Sequence, residues 1–114
     1  MTNCLFCKII DGEIPTTLVY EDDTVIAFND INPQAPTHIL IVPRQHIDTL
    51  NHLTEADTFI VGHMVQVGQK LASQLGHAAK GYRLVMNCNA DGGQTVFHIH
   101  LHLFAGRQFA WPPG

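Results

Sequence analysis

Charge is scarce in this chain: only 14% of its 114 residues are Asp, Glu, Lys or Arg. The six cations (Lys8, Arg44, Lys70, Lys80, Arg83 and Arg107) are dispersed, and the formal net charge is −4. Binding a nucleic-acid backbone takes many clustered cations, so no nucleic acid is expected as a partner. Long apolar runs are missing too. The most apolar stretch, around Phe59 to Leu75, is interrupted by His63, Gln66, Gln69 and Lys70, so no membrane span is expected. Residues 1–15 contain Lys8, Asp11 and Glu13 and lack the apolar centre of a secretory signal. Cysteine is limited to Cys4, Cys7 and Cys88, an odd number that argues against a disulfide framework and for the cytoplasm. Repeats, low-complexity tracts and linkers are absent, which leaves one domain over residues 1–114, with 106–114 as an extended tail.

What the chain does hold is apolar content, 46%, enough for a two-layer core and too much for disorder. Sparse surface charge on such a chain points weakly to a second subunit covering part of it. Residues 4–11 form one or two helical turns closed by Gly12. Residues 17–21 and 24–29 make a hairpin that turns at Glu21-Asp22-Asp23. The prolines of NPQAP (32–36) forbid regular pairing, and residues 38–42 follow as a buried β-branched strand ended by Pro43. Thr54-x-x-Asp57 reads as a capping box opening a long helix. Ile60, Met64, Val67, Leu71 and Leu75 give that helix one packed stripe, and Gly76 its left-handed stop. Residues 82–88 form a further strand and residues 90–93 a tight turn. The expected architecture is α+β: about five antiparallel strands, one long helix and a short N-terminal helix.

Three of the eight histidines alternate with aliphatic residues in His98-Ile99-His100-Leu101-His102-Leu103. In an extended strand this puts the imidazoles on one face and the aliphatics on the other. Three chemistries fit: a polar strand face that happens to be histidine, a metal site, or nucleophilic catalysis. Histidines two apart can share a zinc, but a catalytic zinc wants a carboxylate nearby, and no acid follows Asp91. A neutral imidazole, with an ordinary pKa of about 6.5, offers an in-plane lone pair that can attack phosphorus without a separate base. Donors for phosphoryl oxygens stand close by in Gly92-Gly93, Gln94 and Thr95, and neighbouring histidines can carry protons.

The stretch DGGQTVFHIHLHLFAGRQ resembles the signature of the histidine-triad (HIT) superfamily, His-φ-His-φ-His-φ-φ with φ apolar. NDINPQAPTH, GYRLVMN and the terminal WPPG are similar to its Hint branch, so the likeness covers almost the whole chain. That branch comprises dimeric hydrolases of purine nucleoside phosphoramidates and acyl-nucleotides, which implies a HIT fold, a homodimer and purine nucleotides as ligands. The resemblance implies His100 as the nucleophile that forms a nucleotidyl-histidine. His102 would contact the phosphate and help protonate the departing amine, and His38 would lie near His100 and orient it. Asn87, Gly93, Gln94 and Thr95 would hold phosphate oxygens; the branch often has serine where this chain has Thr95. Asp30 would accept the ribose hydroxyls, its alternative being a turn cap. Leu5, Phe6, Ile9, Ile31 and Leu40 would supply an apolar purine slot, or simply core. Two other readings stay open: a nucleotide-binding interaction module with little turnover, and a dinucleoside polyphosphate hydrolase.

Trp111 is the one tryptophan and lies in a proline-rich tail. The resemblance implies that it reaches the partner's active site and selects leaving groups; the alternative is packing on its own sheet. Cys4 and Cys7 form a C-x-x-C pair, which alone is weak. Some family members bind a structural zinc through this pair, a downstream histidine and the first triad histidine, here His46 and His98. Reduced cysteines packed beside Phe6 are the alternative. Neither reading gives a metal or other cofactor a part in turnover. Cys88 is expected in a strand, and His52, His63 and His77 as solvent-facing or capping residues.

Overall fold

The computed structural model describes residues 3–114. A five-stranded antiparallel sheet organises the chain: β1 (Leu18–Glu21), β2 (Val25–Asn29), β3 (Thr37–Pro43), β4 (Arg83–Val85) and β5 (Leu101–Ala105). Their order is β1-β2-β3-β5-β4, so β4 is an edge and β5 pairs on both sides. The short helix α1 (Leu5–Ile10) and the long helix α2 (Thr58–Gln74) cover opposite faces, and a single turn, α3 (Asn89–Gly92), precedes the histidine segment. Expected α+β architecture and observed fold agree.

Alternation along the strands sorts the two faces. Val25, Ala27, Ile39, Ile41, Ile99, Leu101 and Leu103 meet Met64, Val67, Leu71 and Ala72 of α2. Ile26, Phe28, Leu40 and Val42 project to the other face and pack against Phe6 of α1. Helix α2 approaches the sheet closely because Gly68 has no side chain: a Cβ there would lie 3.1 Å from Leu84. The capping box forms, with the Thr54 amide donating to Asp57 Oδ2 at 2.9 Å, although the first turn is 3-10 before α2 begins. Gly76 takes φ +85° and closes the helix.

Four details differ from the sequence reading. Leu75 is 51% exposed, because the packed stripe ends one turn earlier at Leu71. The strand expected over residues 82–88 pairs only across Arg83–Val85, against Phe104 to His102, and Cys88 leaves the ladder to precede α3. His63 is not a free surface residue: its Nε2 donates to Asp22 Oδ2 at 2.6 Å and ties α2 to the β1–β2 turn. The histidine alternation continues past the strand, since ladder pairing starts at Leu101 while His98 and His100 precede it. Among the described residues no helix is long and apolar enough to cross a membrane.

Candidate active site

A cavity of about 640 Å³ opens on the α1 face of the sheet. Leu5, Phe6, Ile9, Phe28, Leu40 and Val96 give it apolar lining, and Asp30, Ile31, Thr95, His100 and His102 complete it, with Asp30 and His102 both beside His38. The sequence periodicity that buries Ile99, Leu101 and Leu103 under α2 turns the three imidazoles to this side. Phe6 stands edge-on to both His100 (5.1 Å between centroids) and Phe28 (5.7 Å). A slot with aromatic and aliphatic walls suits a flat heterocycle.

The hydrogen-bond partners assign a tautomer to each ring. His100 Nδ1 lies 2.8 Å from the His98 carbonyl, which can only accept, so Nδ1 carries the proton and Nε2 keeps its lone pair. The Gln34 amide donates to His38 Nδ1 at 3.1 Å, so His38 holds its proton on Nε2. That Nε2–H is 2.9 Å from His102 Nδ1, which must accept, and His102 therefore presents Nε2–H. Two adjacent imidazoles in one cavity thus carry opposite poles, a lone pair and a donor. Burial lowers the pKa of His38 and His100 and takes His102 down to about 4, the last also through its histidine neighbours, so all three rest neutral at pH 7. Phe104 stacks parallel to His102 at 5.4 Å and packs on His38 at 4.2 Å, which limits rotation of both rings.

His38 accordingly orients His102 rather than His100, whose anchor is the His98 carbonyl. Asp30 caps its turn, Oδ1 accepting the Asn32 amide at 2.8 Å, and its Oδ2 lies 3.5 Å from His38 on the cavity rim. Ile31 is fully exposed at the same rim. The expected oxygen-holding group divides. Gln94 is 6% exposed, and its side chain is consumed by the fold. Its Nε2 donates to the carbonyls of Asp48 (2.7 Å) and Val96 (3.1 Å), and Oε1 accepts the Asn89 amide at 2.8 Å. The Gly93 and Gln94 amides donate to Ala90 and Asn89 carbonyls, both at 3.0 Å. Asn87, Gly93 and Gln94 all stand outside the cavity lining; Thr95 is exposed within it.

Sequence reasoning missed the Gln34 amide and the Pro43 carbonyl, because backbone groups leave no residue signature. It also missed Phe104 as a stacking partner, for which register was the available signal: His38 faces Phe104, and Leu40 faces His102.

Cys4, Cys7, His46 and His98 converge beside the cavity. Cys4 Sγ is 3.4 Å from His98 Nδ1, Cys7 Sγ 3.3 Å from His46 Nδ1, and the two Nδ1 atoms are 3.2 Å apart. Zinc bonds of about 2.3 Å to sulfur and about 2.0–2.1 Å to nitrogen make tetrahedral edges of roughly 3.5 Å (S···N) and roughly 3.3 Å (N···N). The donor set and spacing therefore fit that ion. His98 Nε2 donates to the Pro43 carbonyl at 2.7 Å, so its Nδ1 lone pair faces the sulfurs. Desolvation, and then the neighbouring Cys4, push the Cys7 thiol up to about 11, the cost of burying a thiolate here without a cation.

The tail folds back on its own sheet. Arg83 donates to the Ala110 carbonyl at 2.9 Å, and the Arg107 guanidinium sits 4.3 Å over the Phe109 ring. Trp111 nonetheless remains 83% exposed, which overturns the alternative of intrachain packing.

Comparison with known proteins places these features in a family. A HIT domain model matches residues 11–109. The purine nucleoside phosphoramidase of Escherichia coli K12 is 53% identical over 103 residues, covering 90% of this chain and 87% of that protein. A HIT family hydrolase from Legionella pneumophila superposes with a TM-score of 0.96 at 54% identity, covering 98% of this chain and all of the other. A zinc-bound histidine triad protein from Mycobacterium smegmatis superposes at 0.82 with 34% identity, covering 93% of this chain and 76% of that one. The chain belongs to the HIT domain family.

Proposed function

We propose that this chain hydrolyses the phosphorus–nitrogen bond of purine nucleoside phosphoramidates, and the mixed anhydride of acyl-nucleotides, through a nucleotidyl-histidine. The observation that carries this reading is the pair of opposite poles: the His100 Nε2 lone pair beside the His102 Nε2–H in one nucleoside-sized cavity. Phe6, Ile9, Phe28 and Leu40 hold the purine, Asp30 accepts the ribose hydroxyls, and Thr95 donates to a phosphoryl oxygen. His100 Nε2 attacks phosphorus and the P–N bond breaks; the departing nitrogen takes its proton from solvent water, and the His102 Nε2–H orients the scissile group by hydrogen bonding. Water then attacks phosphorus, the His100–phosphorus bond breaks, and AMP or GMP leaves. The name of the Escherichia coli relative supports this substrate class.

The same reading includes a structural zinc on Cys4, Cys7, His46 and His98 that takes no part in turnover. Four protein ligands would leave it no open position, and its role would be to staple α1 to the sheet. It also includes a homodimer, supported by the half-buried edge strand β4 and by the exposed Trp111 and Phe59. In the dimer Trp111 meets the partner's leaving group.

A fluorogenic adenosine phosphoramidate tests the proposal. His100→Ala should lower kcat/KM by at least about 10³-fold, and denatured wild-type enzyme quenched during turnover should carry AMP on His100. Turnover that survives the substitution, or nucleotide found on another residue, overturns it.

A further inference from the structure

Helix α1 borders two places at once. Its Cys4 and Cys7 belong to the Cys2His2 cluster, while Leu5, Phe6 and Ile9 of the same six-residue helix and its cap wall the nucleotide cavity. Phe6 lies between the two cysteines in sequence and is edge-on to His98 at 6.0 Å as well as to His100 at 5.1 Å. A covalent change at the sulfurs cannot leave that wall untouched.

The two sulfurs differ in access. Cys4 and His46 line a solvent-open hollow of about 530 Å³ that shares Leu5, Thr95 and Val96 with the nucleotide cavity. Cys7 is buried and is not part of that hollow. An oxidant arriving from solvent therefore meets Cys4 first, with Cys7 behind it on the next turn of chain.

We infer that Cys4 and Cys7 form a thiol switch: oxidation by a hydroperoxide joins them, expels the zinc and loosens the nucleotide slot through Phe6. The inference rests on the proposed zinc and nucleotide sites. The Cys4 thiolate attacks one peroxide oxygen, the O–O bond breaks, and Cys4 becomes a sulfenic acid with release of hydroxide. The Cys7 thiolate then attacks the Cys4 sulfur; the S–O bond breaks, hydroxide leaves and takes up a proton as water, and a disulfide forms. Two electrons pass from the two sulfurs to the peroxide. A disulfide offers no anionic sulfur, and two imidazoles alone make a poor zinc site, so the ion departs.

The test uses full-length protein carrying Cys88→Ser, which removes the third thiol, reduced and loaded with zinc. Hydrogen peroxide is titrated in while a chromogenic chelator reports zinc, mass spectrometry reports the Cys4–Cys7 cross-link, and calorimetry reports AMP affinity. The expected result is one zinc released per cross-link formed, with AMP binding weakened about tenfold and restored by dithiothreitol plus zinc. Cross-linking that leaves AMP affinity unchanged, zinc retained under peroxide, or a reduced chain that takes up no zinc overturns the switch. Failure of the reduced, zinc-loaded protein to bind AMP instead refutes the proposed nucleotide function.

Discussion

Gln94 separates two accounts of the loop before the triad, and Gln94→Met is the perturbation that distinguishes them. If the side chain holds phosphate, its loss weakens nucleotide binding and leaves the fold intact. The geometry predicts the reverse emphasis. Methionine matches glutamine in length and volume but cannot replace the contacts to the Asp48 and Val96 carbonyls or to the Asn89 amide. Each stranded backbone group costs about 1 kcal/mol, so the variant loses about 3 kcal/mol. With an unfolding entropy near 2.1 cal/mol/K per residue, that corresponds to a fall in Tm of about 12 °C. Gln94→Glu should also destabilise the fold, since it retains the acceptor for Asn89 but aims a carboxylate oxygen at two carbonyls. Scanning calorimetry gives Tm, and isothermal calorimetry gives AMP affinity on folded protein below the transition. A Tm within about 2 °C of wild type, combined with lost AMP binding, would refute the bracing role.

Three other outcomes follow from the structure. Desolvation raises the Asp22 carboxyl, but hydrogen bonds from His63, the Val25 and Thr24 amides and Tyr20 outweigh it and hold the group well below the usual carboxylate range. A depressed pKa stabilises the fold above the unfolded value of about 3.9 and is lost as pH falls, so the Tm gap between wild type and Asp22→Asn should narrow from about pH 4 to pH 2; a gap that stays constant removes the argument. Gly106 has φ +97°, and a Cβ there would lie 2.8 Å from Pro36 Cβ. Gly106→Ala should therefore cost about 2–3 kcal/mol, read as a Tm lower by roughly 10 °C. A strong chelator added to zinc-loaded protein should lower Tm by about 10 °C or more while phosphoramidate turnover persists below the transition; immediate loss of turnover with Tm unchanged contradicts a purely structural ion.

Much of the fold was legible because burial writes itself into periodicity. Alternation in β3 and β5 and the 60-64-67-71 spacing of α2 gave the sheet, its two faces and the helix that covers one of them. Tyr82 to Cys88 has strand composition throughout, but its ladder with β5 stops at the Val85–His102 pair. The histidines and the C-x-x-C pair were visible as residue types, and their convergence across more than ninety positions followed from the resemblance rather than from spacing. The burial of Gln94 was not visible. A polar residue in a glycine-rich turn reads as a ligand donor unless the carbonyls it serves, at Asp48 and Val96, are seen to approach it. Tautomers were equally hidden, since they are set by the Gln34 amide and by the carbonyls of His98 and Pro43.

Those three backbone groups give the repeated histidines separate identities. One ring type, used three times in five residues, presents a lone pair to the sulfurs at His98, a lone pair to the cavity at His100 and an N–H at His102, according to what stands behind it. A main-chain shift of an ångström at Gln34 or Pro43 could thus convert one trade into another with every histidine still in place. Assigning a role to such a ring means reading the scaffold at its back, and a motif alone leaves that unread.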